Sequence, residues 1–262
     1  MNVIICVASP YGMRCLESIE QVVTIAGIIT TKKEFQIRFG DTDRVMENQA
    51  YAQVCEYAQK KNVPLYQIEK MNSMETEQFI RNHSAELMIV SGWYHLIKKN
   101  IMDLFPKGVI GLHSSMLPRY RGGAPLVWQM INGESSAGIT LFYLDEGVDS
   151  GDIIAQKQVD ILEEDTIKTL YDKVGNCGIE LLLENLTRIE KGTAARKKQE
   201  NLSDEDIWPQ RKPEDGMIDW SMDPKQIRNF VRAQTKPYPG AFTYIGSKKV
   251  IIWDCDIEET ES

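Results

Sequence analysis

The sequence predicts an α/β fold: a Rossmann-like, mostly parallel sheet with helices on both faces, followed by a small C-terminal helix and β-hairpin module. Short apolar, β-branched runs alternate with segments whose apolar residues recur at helical spacing, as in right-handed βαβ crossovers. A polar, proline-containing stretch then separates this part from a short tail. These observations favour one large α/β domain with a small C-terminal appendage.

The first third of the chain supplies most of the predicted sheet. Predicted strands cover residues 2–9, 22–30, 63–67 and 87–90. A break at residues 10–12 is followed by a short predicted helix to about Ile19, and further predicted helices cover residues 47–61 and 74–82. Asn62 is suited to end the second of these helices as a C-cap. Residues 31–46 are polar and charged, and we predict a loop there.

The rest of the chain continues the alternation and then changes composition. Predicted strands cover residues 108–112, 137–144 and 152–159, with helices at 124–131 and from Asp165 to near Gly192. The predicted domains are 1–195, a linker at 196–216 and a C-terminal module at 217–262. In that module Asp223 and Pro224 begin a helix, and a hairpin turns at Gly246.

Composition and charge exclude several classes of function. No run of 18 apolar residues occurs, so no membrane span is expected, and the N-terminus lacks the basic region of a signal peptide. The net charge of −8 opposes nucleic-acid binding. The five cysteines show no C-x-x-C pair, and no acidic or histidine cluster has metal spacing. We therefore expect a cytoplasmic protein without a metal.

His113 is the strongest candidate for chemistry. It ends the predicted strand 108–112 and precedes the segment S-S-M-L-P-R-Y-R-G-G. In parallel sheets, ligands bind beyond the carboxyl ends of the strands. A histidine at a strand end can equally be structural, but the Arg- and Gly-rich loop that follows favours a functional role. His95, in the loop after an earlier strand, is a second candidate for binding.

Asp149 lies in the loop D-E-G-V-D-S-G-D, between two predicted strands that we place at the same carboxyl edge. The alternative is a solvated turn, in which aspartate and glycine serve only as turn formers. In the functional interpretation the carboxylate comes within about 3–4 Å of His113 and holds its imidazole in one tautomer. Such a histidine can stabilise an oxyanion or accept a proton from an attacking amine.

The segment H-S-S-M-L-P-R-Y-R-G-G-A-P, followed by D-E-G-V-D-S-G-D-I, resembles the folate-dependent formyltransferases. Within them the chain is most similar to the sugar N-formyltransferases, which are related to methionyl-tRNA formyltransferase. The resemblance implies that His113 and Asp149 are catalytic and that N10-formyltetrahydrofolate is the co-substrate. It also implies a folate site that includes Ser91, Gly92, Trp93, Asp145, Glu146, Gly147 and Val148.

Gly111 departs from the pattern of that family, which has an asparagine two positions before the catalytic histidine. The amide that would help to bind the formyl oxygen is missing, and losing one such donor typically costs about 10²–10³ in rate. Ser114, Ser115 or a backbone N–H could replace it. A related hydrolase domain that releases formate also lacks the asparagine, so hydrolysis stays open, as does non-catalytic folate binding.

The resemblance is compatible with two classes of molecule that could accept the formyl group. Methionyl-tRNA formyltransferase needs a basic surface and a full C-terminal barrel, whereas this chain has a net charge of −8 and a short tail. We therefore favour a UDP- or dTDP-linked amino sugar, in polysaccharide biosynthesis, with methionyl-tRNA as the alternative. The candidate substrate residues are Tyr94, Arg119, Tyr120, Arg121 and Tyr238. A homodimer is left open.

Overall fold

The computed structural model describes residues 1–39, 42–200 and 202–258. Its strands are β1 (Asn2–Val7), β2 (Thr24–Thr31), β3 (Glu34–Phe39), β4 (Thr42–Glu47), β5 (Leu65–Ile68), β6 (Leu87–Ser91), β7 (Val109–His113), β8 (Arg121–Gly122), β9 (Ser136–Tyr143), β10 (Ile153–Asp160), β11 (Ile207–Trp208), β12 (Ala241–Ile245) and β13 (Lys248–Ile252). Its α-helices are α1 (Pro10–Ile19), α2 (Tyr51–Lys61), α3 (Met74–His83), α4 (Lys99–Met102), α5 (Pro125–Ile131), α6 (Ile167–Glu190) and α7 (Pro224–Gln234). Two short 3₁₀ helices cover Asp204–Asp206 and Pro213–Gly216.

Within the described residues, the main sheet has seven strands in the order β10-β9-β7-β6-β1-β2-β5. The pairs β1–β2, β1–β6, β2–β5 and β6–β7 are parallel, whereas β9 runs antiparallel to β7. Helices flank this sheet, so its central strands are buried on both faces, which explains their continuous apolar sequences. The predicted α/β fold with a mostly parallel sheet is confirmed.

The core of the sheet forms where β-branched and sulfur-containing side chains interleave. One cluster of this core includes Ile4, Met88 and Ile101, all with an exposed fraction of 0%. The first crossover helix begins earlier than predicted, at Pro10 within the expected break: Ser9 caps α1 by accepting a hydrogen bond from the Gly12 N–H at 3.1 Å, and Pro10 follows it. Asn62 ends α2 in the left-handed conformation, with φ of 52°, as predicted.

The predicted loop at residues 31–46 is wrong, because β3 and β4 form an antiparallel hairpin there. Phe35 and Ile37 alternate with polar residues and are 9% and 7% exposed, so one face of β3 is buried. The alternation runs over three apolar positions, Phe35, Ile37 and Phe39, inside a stretch rich in charged residues, and the prediction gave more weight to those charges than to the period of two. Residues 40 and 41, also part of the predicted loop, lie outside the described residues.

Contacts within the chain define two compact units, neither continuous in sequence. The first unit comprises Met1–His113, Thr140–Gln156 and Gly178–Glu200, and the second comprises Ser114–Ile139, Lys157–Cys177 and the described part of 201–262. The predicted boundaries at residues 195 and 216 stay a prediction. Much of the predicted linker at 196–216 is structured, since β11 pairs in parallel with β8.

The second unit contains the predicted C-terminal helix and hairpin. The carboxylate of Asp223 accepts from the Gln226 N–H, and the Gln226 side chain accepts from the Asp223 N–H, which forms a complete capping box for α7. β12 and β13 then pair as the predicted hairpin. Around them, Ile218, Phe230 and Val231 form a separate small core.

No helix in the described part of the chain is long and apolar enough to cross a membrane.

Candidate active site

His113 is the last residue of β7, at the carboxyl edge shared with the parallel strand β6. It is 8% exposed and lies opposite Thr140 of β9 in the ladder. Because its backbone is fixed in the sheet, the imidazole is held on a rigid element rather than on a loop. That arrangement suits a group that must be placed accurately against a reacting atom.

Asp149 contacts this imidazole: its Oδ2 lies 3.4 Å from Nδ1 of His113, and the two side chains are 24% and 9% exposed. Both residues belong to the first unit. The contact is therefore in the range that orients an imidazole through one ring nitrogen. That His113 and Asp149 are catalytic stays a prediction.

The route by which Asp149 reaches His113 differs from the predicted one. Because β9 is antiparallel to β7, it ends beside the start of β7, and the Leu144 N–H bonds to the carbonyl of Val109 at 2.8 Å. The prediction that the loop 145–151 leaves a carboxyl edge is therefore wrong. The loop instead folds back along β7, since Asp149 meets the residue at the far end of that strand.

Short-range bonds give the 145–151 loop its shape. Oδ1 of Asp145 accepts hydrogen bonds from the Gly147 N–H at 3.1 Å and from the Ser150 hydroxyl at 2.7 Å. A Cβ atom on Gly151 would lie 1.8 Å from the carbonyl oxygen of Tyr143, so only glycine fits there. Asp149 itself adopts the left-handed region with φ of 49°. The predicted folate residues Asp145, Glu146, Gly147 and Val148 lie on the exposed part of this loop.

A second predicted folate segment follows β6. Ser91 is 1% exposed and donates its hydroxyl to the sulfur of Cys15 at 3.3 Å. Gly92 has a φ of 57°, and a Cβ atom there would lie 1.7 Å from Oγ of Ser9, the N-cap of α1. The chain therefore passes directly against the start of α1, and this close approach requires glycine.

The residues that follow Gly92 form a loop that we call the aromatic loop: Trp93, Tyr94 and His95. Phe35 of β3 packs against it. The Phe35 ring lies 5.5 Å from that of Tyr94 and 5.6 Å from that of His95, and the rings of Trp93 and His95 are 5.5 Å apart edge to face. Burial lowers the pKa of His95 below its ordinary value. No sequence motif indicated that Phe35, from the unexpected hairpin, would reach this loop.

Two polar atoms of the aromatic loop are buried without a hydrogen-bond partner among the described residues: Nε1 of Trp93 and Nε2 of His95. Buried polar groups are normally satisfied by protein, water or ligand, so each of these atoms is available to bond a water or a ligand. Reduced folates carry carbonyl and ring-nitrogen acceptors on the pteridine. The aromatic faces and the unpartnered Nε1–H of Trp93 therefore fit a folate.

Gly111 has almost no free space beside it. A Cβ atom built on Gly111 would lie 2.7 Å from Cδ1 of Leu144 and 3.6 Å from the carbonyl oxygen of Val90. Leu144 thus occupies the space that a larger side chain at position 111 would need. The departure from the asparagine of the resembled family is matched by the packing around it.

The remaining predicted substrate residues lie in the second unit, where each is bound to other protein groups. The Tyr120 hydroxyl donates to Glu134 at 2.7 Å, and Arg119 forms an ion pair with the same carboxylate. Arg121 is 3% exposed and donates to the carbonyl of Ser203. The further contacts are a Tyr238–Tyr171 hydroxyl bond at 2.6 Å and a stack of Tyr120 on Trp208 at 5.1 Å. Their role toward a substrate stays a prediction.

Comparison with known proteins identifies the family. The family model described as formyl transferase matches residues 11–186, and the model of the formyl transferase C-terminal domain matches residues 211–262. The chain belongs to the formyl transferase family. The matched N-terminal segment contains His113, Asp149 and both loops described above.

Named relatives agree with this assignment. A methionyl-tRNA formyltransferase of Geobacter metallireducens is 34% identical over 200 residues, which cover 76% of this chain but only 64% of that relative. A 4-N formyltransferase structure from Francisella tularensis aligns over 99% of this chain and 98% of its own, with a TM-score of 0.74 and 18% identity. An N-formyltransferase from Helicobacter canadensis, in complex with folinic acid and dTDP-3-aminofucose, aligns over 95% and 86%, with a TM-score of 0.65 and 23% identity. At such identities these two structures show a shared fold.

Proposed function

We propose that this formyl transferase family member transfers the formyl group of N10-formyltetrahydrofolate to the amino group of a UDP- or dTDP-linked amino sugar. The observation that carries the proposal is the contact of 3.4 Å between Nδ1 of His113 and Oδ2 of Asp149 at the end of β7. An oriented imidazole at that edge is the group that N-formylation needs to handle the proton of an amine.

The folate supplies the formyl group when it is bound. Trp93 would donate a hydrogen bond to it through Nε1, with Ser91 and Gly92 forming the adjoining backbone. Residues 145–148 would line the other side of the pteridine. Residues 145–148 are exposed, and the bonds made by the Asp145 side chain hold their loop in shape. Their backbone groups are therefore accessible to such a ligand.

His113 would act on the acceptor amine. As the neutral amine forms its bond to the formyl carbon, Nε2 of the imidazole would take up the amine proton. The resulting Nε2–H can stabilise the charge on the formyl oxygen and then give its proton to the folate nitrogen, whose bond to the formyl carbon breaks so that tetrahydrofolate leaves. Asp149 holds Nδ1 on the other side of the ring, so that Nε2 faces the reaction. Folate and acceptor held together in one geometry would supply much of the rate.

Without an asparagine at position 111, another group must donate the hydrogen bond to the formyl oxygen. The hydroxyl of Ser115 donates to the carbonyl of Arg119 at 2.6 Å, so its proton is already engaged. Ser114 and backbone N–H groups are the remaining candidates for the formyl oxygen. This assigns the oxyanion role to a group other than a side chain at position 111.

Two observations support a small, nucleotide-linked acceptor. The net charge of −8 works against a polyanionic partner such as tRNA, whose binding depends on clustered cations. The similar Helicobacter canadensis fold is described in complex with folinic acid and dTDP-3-aminofucose. In the second unit, Arg119 keeps a side chain that is 66% exposed and is the leading cation for a nucleotide phosphate.

A second candidate function is formylation of methionyl-tRNA. It is favoured by the names of the relatives that match by sequence, which are methionyl-tRNA formyltransferases at 34–35% identity. That match is higher in identity than the likeness to the sugar-modifying structures, but it spans about two thirds of the relatives' length.

One experiment separates the candidates. Purified protein is incubated with N10-formyltetrahydrofolate and, in separate reactions, UDP-amino sugars, dTDP-amino sugars, methionyl-tRNA or no acceptor. We expect a mass gain of one formyl group on an amino sugar, and none in a parallel reaction with the His113→Ala variant. Formylated methionyl-tRNA would establish the second candidate instead, and formate release without an acceptor would indicate hydrolysis. No product in any reaction would contradict the proposal.

A further inference from the structure

The chain that follows α6 returns to the loop that carries Asp149. Lys197 forms an antiparallel bridge with Ile153, with Ile153 N–H to Lys197 O at 2.8 Å and Lys197 N–H to Ile153 O at 2.9 Å. The guanidinium of Arg196 lies 3.7 Å from the ring centroid of Tyr143. Residues 196–199 are thus fixed beside the start and the end of this loop, all within the first unit.

Gln199 is the point at which this segment contacts the loop. Its Nε2 donates to the carbonyl oxygen of Asp149 and to that of Gly151, each at 2.8 Å. Because a carbonyl can only accept, two carbonyl partners fix which end of the amide carries the NH₂ group. The other end, Oε1, is buried and has no partner among the described residues.

The loop has a conformation that needs such support. Asp149 is a non-glycine residue at φ of 49°, which L side chains rarely adopt. Two residues later, Gly151 packs so tightly that a Cβ atom would lie 1.8 Å from Tyr143 O. One side-chain amide therefore holds the main chain on both sides of Ser150, at the turn that directs the Asp149 carboxylate toward His113.

We propose that Gln199 is a positioning residue that keeps the Asp149 carboxylate against the imidazole of His113. The proposal rests on the proposed function, because it takes this pair to be the catalytic one. Gln199 acts through the backbone of Asp149 and touches neither the imidazole nor the substrate. Its side chain therefore controls the orientation of His113 from outside the two motifs that carry the family resemblance.

The kinetic test uses three variants. Gln199→Glu keeps the length of the side chain but turns a carboxylate oxygen toward two carbonyls, and Gln199→Leu removes the donors altogether. Lys198→Ala, at the exposed neighbouring position, is the matched control. Because small misplacements in a catalytic group can cost about 10²-fold, we expect kcat to fall at least about tenfold in both Gln199 variants. The KM for the formyl donor should stay within about twofold, and Lys198→Ala should match the wild type.

A double-mutant comparison shows whether the effect passes through Asp149. In an Asp149→Asn background, Gln199→Glu should change kcat by less than about twofold, since the group that it positions is already altered. An undiminished tenfold loss in that background would mean that Gln199 acts by another route and would overturn the proposal.

A spectroscopic test needs no substrate. The sequence has three histidines, so a long-range ¹⁵N–¹H spectrum shows three imidazoles, and the His113→Gln variant identifies the signal of His113. At about pH 8.5, where imidazoles are neutral, we expect wild-type His113 to show one tautomer with the proton on Nδ1. Gln199→Glu should show both tautomers in exchange, and Lys198→Ala should show one.

The outcomes distinguish the proposal from the function on which it rests. If no acceptor is formylated by the wild type, the proposed function fails, and the tautomer spectra still decide whether Gln199 orients the pair. If the wild type transfers formyl groups and Gln199→Glu retains its kcat and a single tautomer, the role of Gln199 is refuted alone. Should both variants fail to fold, Gln199→Asn keeps the donors on a side chain too short to reach both carbonyls, and its spectrum and kcat provide the same test.

Discussion

A Cβ atom on Gly111, two positions before His113, would lie 2.7 Å from Cδ1 of Leu144, the first residue after β9. The Leu144 side chain therefore fills the space beside Gly111. This relationship explains how the chain tolerates the loss of the asparagine found in the resembled family. The space that an amide side chain would take is filled by an apolar one. An asparagine at position 111 would therefore require the Leu144 side chain to move.

This packing predicts the outcome of restoring the asparagine. Gly111→Asn alone should lower the free energy of unfolding by about 1–3 kcal/mol, because the added side chain collides with Leu144. Combined with Leu144→Ala, the asparagine has room, and the double variant should show a higher kcat than Leu144→Ala alone. Denaturant titration and initial rates measure the two effects. A Gly111→Asn protein as stable as the wild type would show that Leu144 does not fill this space.

Removal of the imidazole should affect turnover far more than folding. We expect His113→Gln to lower kcat/KM at least about a hundredfold, the usual contribution of a general acid–base group. The midpoint of thermal unfolding should shift by only a few degrees, since the residue is the last one of its strand. The matched control is His83→Gln on α3, whose ring packs on Phe79 away from the site. Near-normal rates in the His113 variant would remove it from the mechanism.

The unpartnered indole of Trp93 leads to a prediction that separates binding from stability. Trp93→Phe deletes a buried N–H that has no acceptor among the described residues, so the stability of the unliganded protein should change little through that group. Folate affinity should fall by about 1 kcal/mol, roughly fivefold, through the lost hydrogen bond. Calorimetric titration with folinic acid measures it.

Trp128 provides the matched control for that change. Its Nε1 donates to the carbonyl of Pro209 at 2.9 Å, so Trp128→Phe leaves a carbonyl without its donor and should lower the free energy of unfolding by about 1 kcal/mol. If Trp93→Phe bound folate as tightly as the wild type, the indole N–H would not be part of the folate site.

His95 makes stability depend on pH in a defined direction. Burial lowers its pKa, so the folded state takes up its proton at a lower pH than the unfolded state does. As the pH falls below about 6.5, the unfolded state binds more protons and stability decreases. Above that pH both states are neutral at this residue, and its contribution is constant. Free energies of unfolding at about pH 7.5 and about pH 5.5 should differ less in His95→Gln than in the wild type. An unchanged difference would contradict the assignment, with His83→Gln as the control.

The elements with strong local signals could be predicted from the sequence. Asn62 ends a helix, and Asp223 with Pro224 begins one, where their capping chemistry dictates. Apolar β-branched runs gave the central strands, because strands covered on both faces need such side chains. The β3–β4 hairpin was missed, because the alternating apolar residues Phe35, Ile37 and Phe39 lie in a stretch rich in charged residues.

The candidate site was predicted as a set of residues, but its geometry was not. The segments around His113 and Asp149 carry recognisable motifs, and so their pairing was expected. The path of the Asp149 loop was wrong, because strand direction is set by which partner buries the strand and leaves no mark in the local pattern of β9. Gln199 had no sequence signal, as a lone amide in a polar stretch looks the same whether it is solvated or bound to two carbonyls.

The sequence by itself determined the fold class, the helix ends and the identity of the histidine and the aspartate, because these depend on local propensity, apolar period and short motifs. Only the tertiary structure decided that β9 is antiparallel, that Leu144 fills the space at Gly111, that Phe35 reaches the aromatic loop and that Gln199 holds Asp149. Each of these is a contact between segments distant along the chain. Such contacts arise from the packing of the whole chain, which no local pattern encodes.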